Sequence, residues 1–165
     1  MYLFCPSCKT KLVRKLINNR NYLACPSCDF IFWNNPKPTT SAILEKDGKI
    51  LMIKRNQELL KGFWVLPGGF MEYEETPEET TVREVKEETG LKIQTKELVG
   101  VYKINDDEDP SGATVDIIFH GEILGGTLKI EKDFSDFRFF NTNNLPDLIA
   151  YKHRKAILNF KEKFL

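Results

Sequence analysis

The run from Gly69 to Leu91 constrains this chain more than any other, because it specifies a helix with both ends marked and one face crowded with carboxylates. Thr76, then Pro77, then Glu79 three positions on, make a capping box with proline at the first helical position, which predicts a helix start there. Gly90 is the expected stop. Inside these bounds Glu84, Glu87 and Glu88 stand at i, i+3 and i+4, so their side chains share a face, while Val82 and Val85 point elsewhere and can anchor the helix in a core. Like charges at those offsets cost about 0.2–0.5 kcal/mol per pair, and no lysine lies where it would relieve the cluster fully. A hard divalent cation would. Oxygen-rich clusters suit Mg²⁺ or Mn²⁺, which take a few carboxylates and complete their shell with water and substrate phosphates. A Glu-rich run is ordinarily a solvated face. Here Gly69, Glu75, Arg83 and Gly90 stand in fixed register with the acids, and the metal-binding reading is the one adopted.

The second constraint is at the N-terminus. All four cysteines fall in two Cys-Pro-Ser-Cys knuckles, Cys5 with Cys8 and Cys25 with Cys28, separated by sixteen residues. That is the spacing of a four-thiolate zinc site, and the pair of knuckles looks like a zinc ribbon. Two disulfides or a redox pair fit less well, since no secretory signal is evident and a redox motif has no need to occur twice. Ribbons of this type often place glycine after each knuckle, whereas this chain has Lys9 and Asp29. Asp tolerates a left-handed backbone better than Lys, so the first knuckle is the more irregular expectation.

A chain of 165 residues with 41% hydrophobic content can fill one ordinary domain and a small accessory module. The charge is balanced at 24 basic and 24 acidic residues, which argues against a general nucleic-acid or membrane-surface binder. No apolar run approaches the ~18 residues of a membrane span. Reduced thiolates lead to the expectation of a cytoplasmic protein. The boundary between modules is expected at Asn34 to Pro38, where prolines favour an extended linker, giving a ribbon at residues 1–35 and a larger domain at 36–165. In the ribbon, residues 11–17 and 21–24 read as a hairpin around Asn18, Asn19 and Arg20. In the larger domain, residues 39–45 and 49–54 read as strands around an Asp47-Gly48 turn. Further strands are expected at 97–104, 113–123, 127–130 and 137–140, and a closing helix at 146–164 with an apolar stripe of Ile149, Ile157, Phe160 and Phe164.

Together these residues resemble the Nudix hydrolase signature at every defined position: Gly69, Glu75, Arg83, Glu84, aliphatic Val85, Glu87, Glu88, Gly90 and aliphatic Leu91. The resemblance extends to Phe63 through Gly69 before the box and to Phe137 through Phe140 after it. It implies an α/β/α sandwich with a mixed sheet, here preceded by a small β zinc ribbon, and an enzyme that hydrolyses the pyrophosphate linkage of a nucleoside diphosphate joined to another moiety. Such chemistry needs metal ions to neutralise the diphosphate and a carboxylate to take a proton from water. Carried over by position, Glu84, Glu87 and Glu88 are the metal-binding acids, with catalytic Mg²⁺ or Mn²⁺ and structural Zn²⁺ as cofactors. Arg83 is an orienting partner for a box glutamate, with Glu75 its counterpart, and the Gly68 carbonyl is an added metal ligand. Gly69 lets phosphate approach, and Lys54 and Arg55 are either phosphate contacts or a surface pair. The general base stays open between the box acids, Asp106, Asp107, Glu108 and Asp109 in an acidic loop, and Asp136.

A ribbon followed by such a domain is also similar to the NADH pyrophosphatase arrangement, but that group's downstream Ser-Gln-Pro-Trp-Pro-Phe-Pro-type segment is absent. The proline expected after the box in ADP-ribose pyrophosphatases is likewise not at its usual distance, the nearest being Pro110. Substrate identity stays open among nucleotide sugars, ADP-ribose and dinucleotides. Phe32, Trp33, Tyr73, Tyr102 and Phe134 are candidate stacking platforms for a base. The ribbon is expected to be structural or to form a homodimer. The competing class is a Nudix-fold nucleotide sensor whose ribbon binds nucleic acid or protein; a sensor has no need of the full acidic cluster.

Overall fold

The computed structural model describes residues 2–105 and 112–164. Asp106, Asp107, Glu108, Asp109 and Pro110 lie outside the described residues. The chain divides into two compact units, Met1–Asn35 and Pro36–Leu165.

In the first unit, β1 (Val13–Ile17) and β2 (Arg20–Ala24) pair antiparallel, and the two-residue β3 (Ile31–Phe32) adds beside β2. Asn18 and Asn19 sit at φ 48° and 62°, the left-handed pair that a tight hairpin turn requires and that asparagine tolerates. The buried centre is Cys5, Leu12 and Cys25, with Leu23, Cys28 and Phe30 packed around it.

The second unit contains β4 (Lys37–Lys46), β5 (Lys49–Arg55), β6 (Trp64–Val65), β7 (Gly68–Phe70), α1 (Pro77–Thr89), β8 (Leu91–Ile104), β9 (Thr114–Gly126), β10 (Phe134–Asn141) and α2 (His153–Phe164). The sheet order is β10-β5-β4-β9-β8, with β6 on β5 and β7 on β4. β4 and β9 run parallel; the other pairs are antiparallel. β4 and β5 meet only at their shared turn, Glu45 opposite Ile50 and Lys46 opposite Lys49. They then diverge: β4 pairs with β7 through Thr39, Thr40 and Ser41, and β5 with β6 through Ile53 and Lys54. That divergence opens the sheet where the site lies.

Side chains alternate across a strand, and each face takes one helix. Ile43, Ile50, Met52 and Ile118 pack with Ala156, Ile157 and Phe160 of α2. Ala42, Leu44, Leu51, Leu91 and Ile93 pack with Val85 of α1. The result is an α/β/α sandwich on a mixed sheet. None of the described helices is long and apolar enough to cross a membrane.

Three local expectations are corrected. β8 begins at Leu91, not at residue 97; register shifts between Thr95 and Leu98 and between Leu98 and Gly100 break its alternation midway. Residues 127–130 form no strand, because the end of α1 captures them: Lys129 N–H donates to Thr89 O at 2.9 Å and Glu131 N–H to Glu88 O at 3.3 Å. α2 starts at His153, not at residue 146. Trp64 N–H donates to Leu148 O (2.9 Å) and Ala150 N–H to Trp64 O (3.0 Å), so this stretch extends along β6, and Tyr151 at φ 57° turns it into the helix.

Candidate active site and metal centres

The helix that carries the acids is held at both ends. Thr76 Oγ1 accepts Glu79 N–H at 3.3 Å while the Glu79 carboxylate accepts Thr76 N–H at 2.9 Å. Gly90, at φ 70°, closes the C-terminus by donating to Lys86 O. Val85 of α1 is fully buried against the sheet, while Glu87 is exposed and Glu84 and Glu88 are half-buried.

Arg83 ties the preceding loop to this face. Its Nε and Nη2 donate to Glu75 Oε1 and Oε2 at 2.6 and 2.8 Å, a bidentate pair. Its Nη1 donates to Glu84 Oε1 (2.8 Å) and Glu87 Oε2 (3.2 Å), and Nη2 also reaches Phe70 O. The cation that lysine spacing could not supply therefore comes from within the box itself. Hydrogen bonds from Arg83, with others from Thr80 and the Glu72 amide, hold the Glu75 carboxyl down at about 2. Burial pushes Glu84 up against the opposing pull of Arg83. Burial pushes Glu88 well up too, although Gly68 N–H donates to its Oε2 at 2.8 Å.

Two glycines make this approach possible. A Cβ at Gly69 would lie 2.5 Å from the Glu84 carboxyl carbon, and one at Gly68 would lie 2.1 Å from Thr40 O. Any side chain at these positions would fill the space between β7, β4 and the acids.

A small cavity of about 100 Å³ opens beside the helix. Among its lining residues are Gly68, Gly69, Phe70, Glu88 and Arg55, together with Ser41, Thr114, Asp116, Ile104 and His153. Arg55 and Gly69 thus share a cavity with Glu88. Lys54 does not line it; its ammonium lies 5.7 Å from the Trp64 ring centroid. Asp136 is not on the cavity either, and its carboxylate accepts from Arg138 Nε at 3.0 Å. Of the expected stacking platforms, Tyr102 is buried in the core, Tyr73 is almost fully exposed, Phe134 packs against Ile53 and Val65, and Phe32 and Trp33 make ring contacts inside the ribbon. Phe70 and Tyr151 line the cavity instead.

Sequence reading also missed a buried polar network. Asp116, 2% exposed, accepts from Thr39 Oγ1 (3.2 Å) and Ser41 Oγ (3.0 Å). His153 Nδ1 accepts Leu66 N–H at 2.9 Å, so its proton sits on Nε2, 3.2 Å from Asp116 Oδ2. No sequence spacing signals partners 75 and 37 residues apart.

The donors at Glu84, Glu87 and Glu88 are all carboxylate oxygen, the chemistry of Mg²⁺ or Mn²⁺. Burial disfavours charge on Glu84 and Glu88, and a cation would restore it, so the residues fit the ion. Apart from the cysteines, the described residues hold no group of three or more such ligands gathered closely enough to cage a metal alone. Magnesium is ordinarily held by one or two carboxylates, waters and substrate phosphates.

In the ribbon the four sulfurs lie within 4.8 Å of one another. Cys8 to Cys25 is 3.4 Å, Cys5 to Cys28 3.6 Å and Cys8 to Cys28 3.7 Å. A tetrahedral ion with metal–sulfur bonds of ~2.3 Å needs sulfurs about 3.8 Å apart, whereas a disulfide needs ~2.05 Å. The cluster therefore fits zinc and not two disulfides. Hydrogen bonding at Thr10 holds Cys8 down at about 6. Cys28 is favoured as thiolate by the Phe30 backbone, yet proton sharing with Cys25 and Cys5 pushes it up to about 12. Four thiolates this close require a cation. Lys9 adopts the left-handed conformation, φ 63°, that glycine usually supplies after a knuckle, with its N–H donating to Cys5 O at 2.9 Å.

The family model described as NUDIX domain matches residues 35–160. An "ADP-ribose pyrophosphatase" of Methanocaldococcus jannaschii is 47% identical over 126 residues, covering 76% of this chain and 73% of that one. An "NAD-capped RNA hydrolase NudC" of Vibrio atlanticus is 30% identical over 146 residues, covering 88% of this chain but only 51% of its own length. A solved Nudix hydrolase from Nitrosomonas europaea superposes with a TM-score of 0.84 at 26% identity, covering 99% of this chain and 92% of that one. With the sandwich, the acidic helix and these relatives in agreement, the chain belongs to the Nudix hydrolase family.

Proposed function

We propose that this enzyme hydrolyses the diphosphate bond of ADP-ribose or a closely similar nucleoside diphosphate sugar, with Mg²⁺ or Mn²⁺ held by Glu84, Glu87 and Glu88 and structural Zn²⁺ held by Cys5, Cys8, Cys25 and Cys28. One observation carries the reading: Glu88, Gly68, Gly69 and Arg55 line a single cavity, so a diphosphate there would meet carboxylate-bound cation on one side and a guanidinium on the other. Similarity to the Methanocaldococcus jannaschii protein over most of both chains supports the ADP-ribose class, even though the downstream proline is absent at its usual distance.

When bound, the divalent ion would neutralise diphosphate charge and lower the pKa of the attacking water. Arg83 fixes Glu75 and Glu84 in place, so the acids need little rearrangement. Gly68 and Gly69 leave room for phosphate oxygens, and the Gly68 carbonyl is a further ligand candidate. Arg55, whose Nε donates to Leu59 O (3.1 Å) and Nη2 to Gln57 Oε1 (3.0 Å), would offer Nη1 to a phosphate. Among the general-base candidates, Glu88 is the box acid that lines the cavity. Water attack at one phosphorus breaks the P–O–P bridge and gives AMP and ribose 5-phosphate. A reducing, cytoplasmic compartment would keep the four thiolates available as ligands.

A second reading, cleavage of an NAD-type dinucleotide, is favoured by similarity to the Vibrio atlanticus protein across 88% of this chain. Incubation with Mg²⁺ or Mn²⁺ and ADP-ribose, nucleotide sugars, NADH or NAD-capped RNA, with products identified by mass, separates the two. AMP and ribose 5-phosphate from ADP-ribose, with NADH at least tenfold slower, is the expected result. No hydrolysis of any diphosphate would overturn both readings and favour a nucleotide sensor.

A further inference from the structure

We propose that the part of the cavity wall supplied by Thr114 and Asp116 of β9 is a recognition subsite for the amino-bearing edge of an adenine ring. This rests on the reading that the substrate is a nucleoside diphosphate.

The Asp116 carboxyl sits in an unusual setting. It is 2% exposed, and the groups that hold it are neutral: the hydroxyls of Thr39 and Ser41, and His153 through Nε2. The imidazole cannot serve as a cation without giving up the Leu66 N–H that its Nδ1 accepts. For the same reason the trio is no nucleophile machine. Ser41 donates to Asp116, and both ring nitrogens of His153 are engaged, so no base is available to activate the hydroxyl. What remains is an acceptor wall facing a cavity.

Two positions along the same strand, and so on the same face, stands Thr114. It is fully buried, and its Oγ1 has no hydrogen-bond partner among the described residues. Buried hydroxyls are ordinarily paired. Both residues line the cavity with Glu88 and Gly68, and Val65, Leu66 and Ile104 supply buried apolar walls. Buried apolar walls beside a carboxylate and an unpaired hydroxyl suit the face and edge of a flat heterocycle, and the unpaired buried hydroxyl of Thr40 lines the same cavity. A 6-aminopurine presents a donor, the exocyclic amino group, next to an acceptor, ring N1. The amino N–H would donate to Asp116 and N1 would accept from the Thr114 hydroxyl. A 6-oxopurine reverses this edge and sets a carbonyl against the carboxylate.

The test uses the full-length enzyme with Mg²⁺ on two substrates that differ only in that edge, ADP-ribose and inosine diphosphate ribose. Wild type is expected to prefer the adenine substrate in kcat/KM by about tenfold or more, the discrimination of one good bidentate base contact. Asp116→Asn, whose amide can donate to a 6-oxo group, is expected to narrow or invert that ratio by about tenfold. Thr114→Val keeps the shape and removes an unpaired hydroxyl, so it should fold at least as well as wild type and lower kcat/KM for the adenine substrate, with the metal requirement unchanged. Equal kcat/KM for both substrates in wild type overturns the proposal. So does an equal loss on both in Asp116→Asn or, where that variant fails to fold, an unchanged ratio in Thr114→Val. If no diphosphate is hydrolysed, calorimetric binding of AMP against IMP to the wild-type protein decides the subsite separately: tighter AMP supports it and equal affinity overturns it.

Discussion

Adjacent glycines before the box should fail in opposite ways when replaced by alanine. At Gly69 the new Cβ would lie 2.5–2.6 Å from the three terminal atoms of the Glu84 side chain. An ordinary contact is about 3.5 Å, so the carboxylate must retreat by roughly 1 Å and loosen its 2.8 Å bond to Arg83 Nη1. The obstacle is the far end of a side chain, and Gly69 is not among the positive-φ residues. Stability should therefore hold, or rise by up to about 0.4–1 kcal/mol as the unfolded chain loses freedom. A misplacement of about 1 Å in a catalytic constellation costs on the order of 100-fold in rate, with a higher metal concentration needed for half-maximal activity. At Gly68 the new Cβ would lie 2.1 Å from Thr40 O and 2.6 Å from Ser41 Cα, both backbone. Those atoms move only with β4, so this variant should lose about 1–3 kcal/mol or more. Urea unfolding beside kcat/KM, titrated with Mg²⁺, measures both effects. A Gly69→Ala enzyme with full activity at low metal, or with the same stability loss as Gly68→Ala, would refute the assignment of Glu84 to the metal face.

Glu88→Gln keeps an acceptor for the Gly68 amide but removes the charge that holds the cation, so turnover should collapse while the melting temperature stays level or rises; retained turnover at low metal would contradict it. The folded Glu75 carboxyl titrates near 2, below an ordinary value of ~4.3. Its ion pair with Arg83 therefore stabilises the protein fully above that ordinary value and is lost as the pH falls toward 2. The stability gap between wild type and Glu75→Gln, followed from pH 7 downward, should narrow below the ordinary value and close only at about pH 2 or lower, and a constant gap would count against this. Elemental analysis should find one zinc per chain, and Cys25→Ser should unfold residues 1–35 while the Nudix domain stays folded; thiols oxidised in pairs without zinc would contradict it. Lys9→Gly should stabilise the zinc-loaded ribbon by about 1 kcal/mol, read by chelator competition, because Lys9 holds φ 63°.

What was legible in the sequence was what short-range chemistry decides. The helix bounds follow from Thr76, Pro77, Glu79 and Gly90, all within one segment, and the hairpin turns follow from Asn18, Asn19, Asp47 and Gly48, whose positive φ values only a few residue types accept. Residues 127–130 misled because their backbone partners, Thr89 and Glu88, are the spare carbonyls of a helix end, which no alternation pattern reveals. The start of α2 was hidden because Trp64, more than eighty residues upstream, claims the backbone of Leu148 and Ala150.

The site divides along the same line. Glu75, Arg83, Glu84, Glu87 and Glu88 lie within fourteen residues of one another, and a helix repeat is enough to gather most of them. Asp116, Ser41 and His153 meet because β4 and β9 run parallel, with Thr39 opposite Asp116, and because α2 begins where residues 148–150 leave β6. Parallel register is set by the whole sheet and leaves no local mark. The portion read from sequence is therefore the acidic box, whose proposed role, at the diphosphate, is common to any substrate with that bond. The portion hidden until the fold was known is the wall at Asp116, and if that wall is the proposed subsite, substrate identity stayed open at the sequence level for a physical reason: the residues that build it sit on strands paired across more than seventy residues.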